Sequence, residues 1–258
     1  MKKIINVVKA LLTGLLLSCT VLQAAEVEAV LDWADERGLG TTVSARVSAV
    51  HVKPGMQVGK DSVLLELDNR VFKIQQRRAQ AMMKAAGLEL EEARLEQERA
   101  IELYDRTVLS QFDRRQADVG LAKAQSVYAQ ARAENDRAEL DIEYSRLTAR
   151  YPAVILSVHT AVDEVINNQI ESQVLVRIAR ADQMRAIAYV SADALKNLKP
   201  GQQLEAAFRG EWLAASVDAV SLKPAQSSNQ ALYQVAVVFD VDPQMMPRAG
   251  EKSAIRLP

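Results

Sequence analysis

Two histidines are the first candidates for chemistry, because they occupy equivalent positions in two similar strings. His51 lies in Val50-His51-Val52 and His159 in Val158-His159-Thr160, and the sequence has no other histidine. If the two strings lay close together in a pseudo-symmetric domain, the two imidazoles would be a candidate pair of ligands for a transition metal. The strings have no Cys, further His or paired carboxylates at ligand spacing beside them, so histidines at strand edges are the favoured interpretation. We therefore predict no metal and no other cofactor.

Two lysines are candidates for a swinging-arm attachment point of the lipoyl or biotinyl kind. Lys53 and Lys60 flank the turn Lys53-Pro54-Gly55-Met56, but neither lies between the apolar neighbours that such a hairpin tip has. The sequence also lacks a nucleophile elbow, a P-loop and a Rossmann glycine string. We predict that the chain is not an enzyme.

The composition argues against nucleic acid as a partner. The 258 residues are 49% hydrophobic and 25% charged, which is typical of a folded chain. The net charge of −1 provides no general attraction to nucleic acid. Aromatic residues make up 5% of the chain and are not interleaved with basic residues in the way that base stacking requires.

Residues 1–24 have the layout of a secretory signal, with Lys2 and Lys3 ahead of an apolar run. That run is shorter than the roughly 20 residues of a spanning helix, although the sequence also leaves open an uncleaved anchor. Cys19, the single cysteine, follows Leu16-Leu17-Ser18 and resembles the acylated cysteine of a bacterial lipobox. The alternative is an ordinary signal that is cut after Ala24 or Ala25. Both interpretations predict export.

Two β-rich segments then flank a helical one. A lead-in and the first half of a β-domain are predicted over residues 25–70, and the second half over 148–181. Pro54 and Gly55 fit positions i+1 and i+2 of a type II turn. Asp68 or Asn69 is the predicted N-cap of the helix that follows.

From Phe72 onward the period becomes helical. An alanine recurs at every seventh residue of each arm, interleaved with a second seven-residue series. The arms carry Ala79, Ala86, Ala93, Ala100 with Met83, Leu90, Gln97, Tyr104, and then Ala117, Ala124, Ala131, Ala138 with Leu121, Tyr128, Asn135, Ile142. These arrays predict an antiparallel coiled-coil hairpin over residues 71–147 that projects about 50 Å. Pro152 predicts the end of the second helix.

Residues 182–258 return to a β pattern, with five or six short strands and a single short helix over Ser191–Leu198. Regular spacing of such strands favours a small β-barrel. The predicted fold class is therefore α+β, elongated and multidomain. It consists of a lipoyl-like β-sandwich split by the helical hairpin and followed by the barrel.

These strings together resemble a known family. KPGMQVGKDSVLLELD (residues 53–68), LDIEYSRL (140–147) and the segment 184–257 with Lys199-Pro200-Gly201 resemble periplasmic adaptor subunits. These are also called membrane fusion proteins of the HlyD and resistance–nodulation–division (RND) type. The resemblance implies a ring, trimeric or hexameric, in the periplasm and associated with the inner membrane by a lipid anchor or peripherally. It also implies that this ring bridges an inner-membrane transporter, RND type favoured, to a TolC-like outer-membrane channel for export of small molecules.

The resemblance extends to the hairpin tip. Adaptors that dock on TolC-like channels carry an Arg, a Leu four residues on and a Ser seven beyond that, and Arg99, Leu103 and Ser110 match this pattern. Arg99 would offer a planar fork of donors, Leu103 an apolar knob and Ser110 a small hydroxyl. The alternative is a solvated arginine, ordinary packing of the leucine and an N-cap serine.

The sequence departs from the family in two places. Ala153 follows Pro152 where the family usually has a Gly nearby, so that turn must close differently. The family's membrane-proximal domain is expected to be absent or vestigial. That expectation keeps open an adaptor for an ABC or major-facilitator exporter, and a periplasmic scaffold or metal-binding protein on the same fold.

Overall fold

The computed structural model describes residues 25–168, 173–225 and 231–258. The predicted signal peptide, including Cys19, lies outside the described residues. The described chain forms two compact units. One comprises residues 25–34 with Gln183–Pro258, and the other comprises Asp35–Asp182.

The elements of the described ranges follow in chain order. They are β1 (Ala25–Trp33), β2 (Glu36–Leu39), β3 (Val47–Val50), β4 (Gln57–Val58), β5 (Val63–Leu67), α1 (Arg70–Asp105), α2 (Gln111–Tyr144), β6 (Arg146–Thr148), β7 (Ala153–Val158), β8 (Val176–Arg180), β9 (Gln183–Ser191), α3 (Ala192–Leu195), β10 (Gln203–Phe208), β11 (Glu211–Ala225), β12 (Leu232–Asp240), a 3-10 helix (Pro243–Met245) and β13 (Lys252–Leu257). The predicted α+β class is confirmed.

The first unit is a closed barrel with strand order β1-β13-β10-β11-β12-β9. Inward side chains alternate along each strand, as in β9, where Met184, Ala186, Ala188 and Val190 are buried. Phe208 and Phe239 pack in its core with ring centroids 6.2 Å apart. The predicted β-barrel is therefore present.

One barrel strand comes from a segment that we predicted to belong elsewhere. Residues 25–33 were expected to be a lead-in to the sandwich, but β1 pairs with β13 and β9 and closes the barrel. Ala29 and Leu31 point into the barrel core and are almost fully buried. Burial of this apolar face explains why the segment joins the barrel.

The second unit contains the sandwich, and both of its halves contribute to each sheet. One sheet has the order β2-β8-β7-β4 and the other β3-β5-β6. Leu64, Leu65 and Leu67 from the first half share a buried core with Ile155 and Ile178 from the second. The lipoyl-like sandwich split by the hairpin is confirmed.

The turn at Lys53–Met56 has the predicted geometry. Gly55 has φ of +86°, and the Met56 amide donates to the Lys53 carbonyl at 3.1 Å. A positive φ at position i+2 is what a type II turn requires, and glycine adopts it without strain.

Helices α1 and α2 form the predicted hairpin, and its seam is the predicted one. Every residue of the two seven-residue arrays is buried or half-buried, with Ala86, Ala100 and Ala138 among the most buried. Alanine along each seam allows the two helices to approach closely. No helix in the described ranges is long and apolar enough to cross a membrane.

The second helix ends earlier than Pro152 suggested. It stops at Tyr144, and Arg146–Thr148 forms β6, which pairs with β5. Residues 146 and 147 of the predicted hairpin therefore belong to the sandwich. Strand pairing, and not the proline, ends the helix here.

Candidate functional site

The base of the hairpin is tied to the sandwich by backbone hydrogen bonds. The Leu67 amide donates to the Ser145 carbonyl at 2.8 Å, and the Thr41 hydroxyl donates to the Tyr144 carbonyl at 2.7 Å. These bonds hold the start of α1 and the end of α2 together. The direction in which the hairpin leaves the sandwich is therefore fixed.

Asp68 fixes the first turn of α1. Its carboxylate accepts three hydrogen bonds from the Arg70 guanidinium, at 2.9, 3.1 and 2.6 Å, and one from the Arg70 amide at 3.2 Å. These bonds from Arg70 lower the pKa of Asp68 to about 2. Asn69 is the N-cap residue but makes no side-chain cap bond, so Asp68 has the capping role.

The other end of the hairpin is a tight turn between Asp105 and Gln111. The Thr107 amide donates to the Tyr104 carbonyl at 2.8 Å, and the Val108 amide donates to the Leu103 carbonyl at 2.9 Å. Thr107 has φ of +57°. These bonds satisfy carbonyls at the end of α1 and hold the turn in one conformation.

Side chains from both helices brace the turn. The Arg114 guanidinium lies 5.1 Å from the centroid of the Tyr104 ring. Further down, Gln97 Nε2 donates to Asp118 Oδ1 at 2.8 Å. These cross-helix contacts present the tip as a rigid surface.

Ser110 is the N-cap of α2. Its hydroxyl oxygen accepts from the Asp113 amide at 3.2 Å, and its hydroxyl donates to Asp113 Oδ2 at 2.6 Å. The capping interpretation of Ser110 is therefore confirmed. Its side chain remains exposed at the tip.

Arg99 lies on the exposed surface of α1, one turn before Leu103. It pairs with Glu96, and both side chains are largely in solvent. A surface pair of this kind contributes little to stability, so the guanidinium can exchange Glu96 for another acceptor at low cost.

Leu103 is half-buried and lies beside the turn at the tip. Its carbonyl accepts the hydrogen bond from the Val108 amide of that turn. Its side chain therefore serves the packing of the hairpin and also offers an apolar surface. The structure brings Arg99 and Leu103 onto neighbouring turns of α1, and Ser110 follows across the loop.

Two apolar residues at the tip were not singled out by the sequence. Val108 is 72% exposed and Phe112 is 68% exposed. Large apolar side chains this exposed at the end of a projecting element are typical of a contact surface. The sequence signal that could have identified them is an aromatic and a β-branched residue on either side of Ser110.

The small seam residues leave a groove along one side of the hairpin near the tip. It has a volume of about 330 Å³ and is lined by Ala93, Ala100, Ala117 and Gly120 among others. A larger groove of about 640 Å³ lies near the base, beside Ala79. A side chain from another helix would fit against such a surface.

The comparisons with known proteins agree on the fold. No protein-family model and no curated protein sequence matches the chain. A solved chimeric MacA–MexA protein, containing the α-hairpin domain of MexA from Pseudomonas aeruginosa, is 18% identical with a TM-score of 0.67. The match covers 90% of this chain and 80% of that one. MacA from Actinobacillus actinomycetemcomitans is 18% identical with a TM-score of 0.68, over 91% and 78% of the two chains. The membrane fusion protein Spr0693 from Streptococcus pneumoniae R6 is 14% identical with a TM-score of 0.65, over 91% and 99%.

The fold is that of the membrane fusion proteins. At these identities the likeness concerns the architecture. A split sandwich with a projecting hairpin, followed along the chain by a barrel, is the architecture that this chain shares with them.

The two histidines of this chain have separate local partners. His159 Nε2 lies 2.7 Å from the Ser157 hydroxyl oxygen, and His51 Nε2 lies 3.9 Å from a Glu66 carboxylate oxygen. Among the described residues, no group of three or more His, Cys, Asp or Glu side chains is placed to hold a metal ion.

Proposed function

We propose that the chain is a periplasmic adaptor of a tripartite efflux pump. It would bridge an inner-membrane transporter, RND type favoured, to a TolC-like outer-membrane channel for export of small molecules. The observation that carries the proposal is the braced hairpin with its exposed tip. A rigid rod with a contact surface at its far end, on the fold of the membrane fusion proteins, suits a part that spans a gap between two other proteins.

The length of the hairpin supports this role. Helix α1 runs from Arg70 to Asp105, which at 1.5 Å per residue gives an arm of about 50 Å. The arm is of moderate length, and the tip carries the Arg, Leu and Ser pattern of adaptors that dock on outer-membrane channels. These two features favour the RND class over an ABC or major-facilitator exporter.

The proposed docking contact uses the tip residues in specific ways. Arg99 exchanges its partner Glu96 for a carboxylate or carbonyl on the channel. Leu103 and the exposed Phe112 supply apolar area. Since a tip-to-tip contact is small, a few residues must carry most of its binding energy.

The proposal includes a location and an assembly. The chain would act in the periplasm, associated with the inner membrane through lipid-modified Cys19 or peripherally. Several copies would associate as a ring, trimeric or hexameric, around the passage for exported molecules.

The test is export and cross-linking in cells that depend on this adaptor. Arg99→Asp inverts the charge at the tip, and we expect it to abolish both export and cross-linking to the channel. Arg132→Asp is the matched control. Arg132 is also exposed and pairs with a neighbouring carboxylate on α2, but it lies in the half of the hairpin nearer the sandwich.

Leu103→Ser tests the apolar contribution. Because Leu103 is half-buried, this change costs about 1 kcal/mol of folding free energy as well, so protein level and helicity must be measured beside export. Normal export by Arg99→Asp and Leu103→Ser at normal protein level would contradict docking through these residues. Co-purification of the wild type with its transporter identifies the transporter class.

A further inference from the structure

A short connecting segment holds both roots of the hairpin, the start of α1 and the end of α2. Residues 41–46 lead from β2 towards β3, and we call them the strap. At one end, the Thr41 hydroxyl donates to the carbonyl of Tyr144, the last residue of α2, at 2.7 Å. At the other end, the Asp68 amide donates to the Arg46 carbonyl at 2.8 Å, two residues before α1 begins. The position of the strap therefore influences where each helix leaves the sandwich.

Asn168, in the connection between β7 and β8, binds the strap. Its side-chain nitrogen Nδ2 donates to the Thr41 carbonyl at 2.6 Å and to the Val43 carbonyl at 3.0 Å. Its backbone N–H donates to the Ser44 hydroxyl oxygen at 3.0 Å. Three hydrogen bonds thus join one residue to a segment that lies 124 to 127 residues earlier in the chain. Asn168 therefore fixes the Thr41 end of the strap.

The Asn168 amide is oriented for donation. Both carbonyls beside Nδ2 require a donor, so the amide cannot turn over and present its oxygen to them. Its Oδ1 is buried and has no hydrogen-bond partner among the described residues, which costs free energy. A carboxylate at this position would face the two carbonyl oxygens with no donor between them. The site therefore requires an amide.

The two ends of the strap differ in the groups that hold them. Near Arg46, the bonds to the same connection join backbone groups, as between the Ile166 amide and the Ala45 carbonyl at 2.9 Å. Every residue except proline carries such a donor and acceptor, so these bonds depend little on the side chains. At the Thr41 end, both steps use a side chain, first the Asn168 amide and then the Thr41 hydroxyl. Substitutions can therefore release the α2 root and leave the Arg46 end in place.

A small change at the root of the hairpin is a large change at its tip. The arm is about 50 Å long at 1.5 Å per residue, so a tilt of about 10° at the root moves the tip by about 9 Å. A docking contact tolerates less, because hydrogen bonds and apolar contacts act over about 3–4.5 Å. The direction of the hairpin must therefore be held at its root if the tip is to dock.

We propose that Asn168 is a positioning residue for docking. By holding the Thr41 end of the strap, it fixes the α2 root and with it the direction of the hairpin. The link runs from the Asn168 amide to the Thr41 backbone, and from the Thr41 hydroxyl to Tyr144. The inference rests on the proposed docking of the tip and adds the residue that aims it.

Distances between spin labels on the tip and on the sandwich test the inference. Asp105→Cys places a label at the tip, and Lys53→Cys or Lys60→Cys places one on the sandwich; all three positions are exposed. Each pair is measured in the purified full chain by pulsed electron paramagnetic resonance. The single-cysteine variants are measured as well, so that any signal from Cys19 can be subtracted.

Asn168→Asp has nearly the shape of the native residue but removes both donated bonds. It should shift or broaden at least one of the two distance distributions by several ångström, while helicity and melting temperature confirm that the chain is folded. Asn168→Ala, which removes the bonds without adding a charge, should act in the same direction.

Substitutions of Thr41 test the second step of the link. Thr41→Val removes the hydroxyl with little change in shape and should alter the distances as Asn168→Ala does. Thr41→Ser keeps the hydroxyl and should give the wild-type distances. Because both residues act through one link, Asn168→Ala combined with Thr41→Val should broaden the distributions no more than either change alone. If Asn168→Asp does not fold, the two Thr41 variants decide the question.

Thr160→Val is the matched control. The Thr160 hydroxyl donates to a Glu164 carboxylate oxygen at 2.8 Å, within the same connection between β7 and β8. This substitution removes a side-chain bond that does not reach the strap, so the tip should stay in place. An equal change of distance in Thr160→Val, or unchanged distances in both Asn168 variants, would overturn the inference.

Export and cross-linking to the channel, measured in cells without labels, separate this inference from the adaptor function. Asn168→Asp should lower both, and Thr41→Ser should lower neither. Altered distances with normal export would overturn the role of Asn168 in docking. Normal export by Arg99→Asp, or no export by the wild type, would refute the proposed function, whereas the distances in the purified chain would still show whether Asn168 sets the direction of the hairpin.

Discussion

Replacement of Ala86 by leucine tests the packing of the hairpin. Ala86 is 5% exposed, lies in the seam and lines neither of the two grooves described above. The isobutyl group of leucine therefore has no free space and must push the helices apart. Overpacking of this kind typically costs about 1–3 kcal/mol.

The measurement is thermal unfolding followed by helical circular dichroism at neutral pH. For a unit of this size, each kcal/mol lowers the melting temperature by about 2–4 °C, so Ala86→Leu should lower it by roughly 2–12 °C. Ala85→Leu is the matched control, since Ala85 is the next residue and is exposed. It should change stability by no more than about 0.5 kcal/mol.

The loss of stability caused by Ala93→Leu should lie between those caused by Ala85→Leu and Ala86→Leu. Ala93 is a seam residue, but it lines the groove of about 330 Å³ near the tip, which can receive part of the added side chain. Equal shifts for Ala85→Leu and Ala86→Leu would refute the seam assignment. A cost at Ala93 as large as that at Ala86 would show that the groove is closed in solution.

Two further predictions concern the leader and the base of the hairpin. If Cys19 is a lipobox cysteine, Cys19→Ala should abolish labelling by radioactive palmitate and release the chain into the soluble periplasm; an unlabelled wild type would instead support cleavage after Ala24 or Ala25. The pKa of Asp68 is about 2 in the folded chain and lies below its ordinary value, so its interaction with Arg70 stabilises the fold above about pH 4. This stabilisation is lost as the pH falls through 2. Asp68→Asn should therefore be slightly less stable than the wild type at pH 6 and equal to it near pH 2. The difference in stability should be smaller in high salt, because the ion pair is exposed. A difference that persists at pH 2 would refute the role assigned to Asp68.

The seam of the hairpin could be predicted because its signal is local and periodic. Ala86 and Ala100 recur at seven-residue spacing, and a helix places such residues on one face whatever surrounds it. The type II turn at Gly55 is local in the same sense, since Pro54 and Gly55 fix its dihedral angles.

Features that depend on distant pairing could not be predicted in the same way. The alternation in β1 indicates a strand but does not identify its neighbours, and Ala25 pairs with Leu257 at the other end of the described chain. The end of α2 at Tyr144 depends likewise on the pairing of Arg146 with Glu66 in β5. Tertiary contacts override local propensity at both places.

The sequence predicted the residue pattern of the candidate site better than it predicted which apolar side chains are exposed there. Arg99 and Ser110 were singled out by spacing, and the capping bond of Ser110 followed from its position ahead of a helix. The exposure of Val108 and Phe112 could not be read from the sequence, because an apolar residue near a turn is as often buried under it. Their docking role, like that of Arg99, remains a prediction.

The position of β1 in the barrel also has a consequence for folding. The hairpin closes between residues that are near in sequence, whereas β1 and β13 lie on opposite sides of the sandwich and the hairpin along the chain. The closing pair of the barrel lies about 230 residues apart, and contacts of such separation form slowly because a long loop must be ordered first. Until then β1 is an unpaired strand with Ala29 and Leu31 uncovered, and such an edge invites association with other chains. The first strand of the described chain is therefore the one that most needs protection from such association while the chain folds.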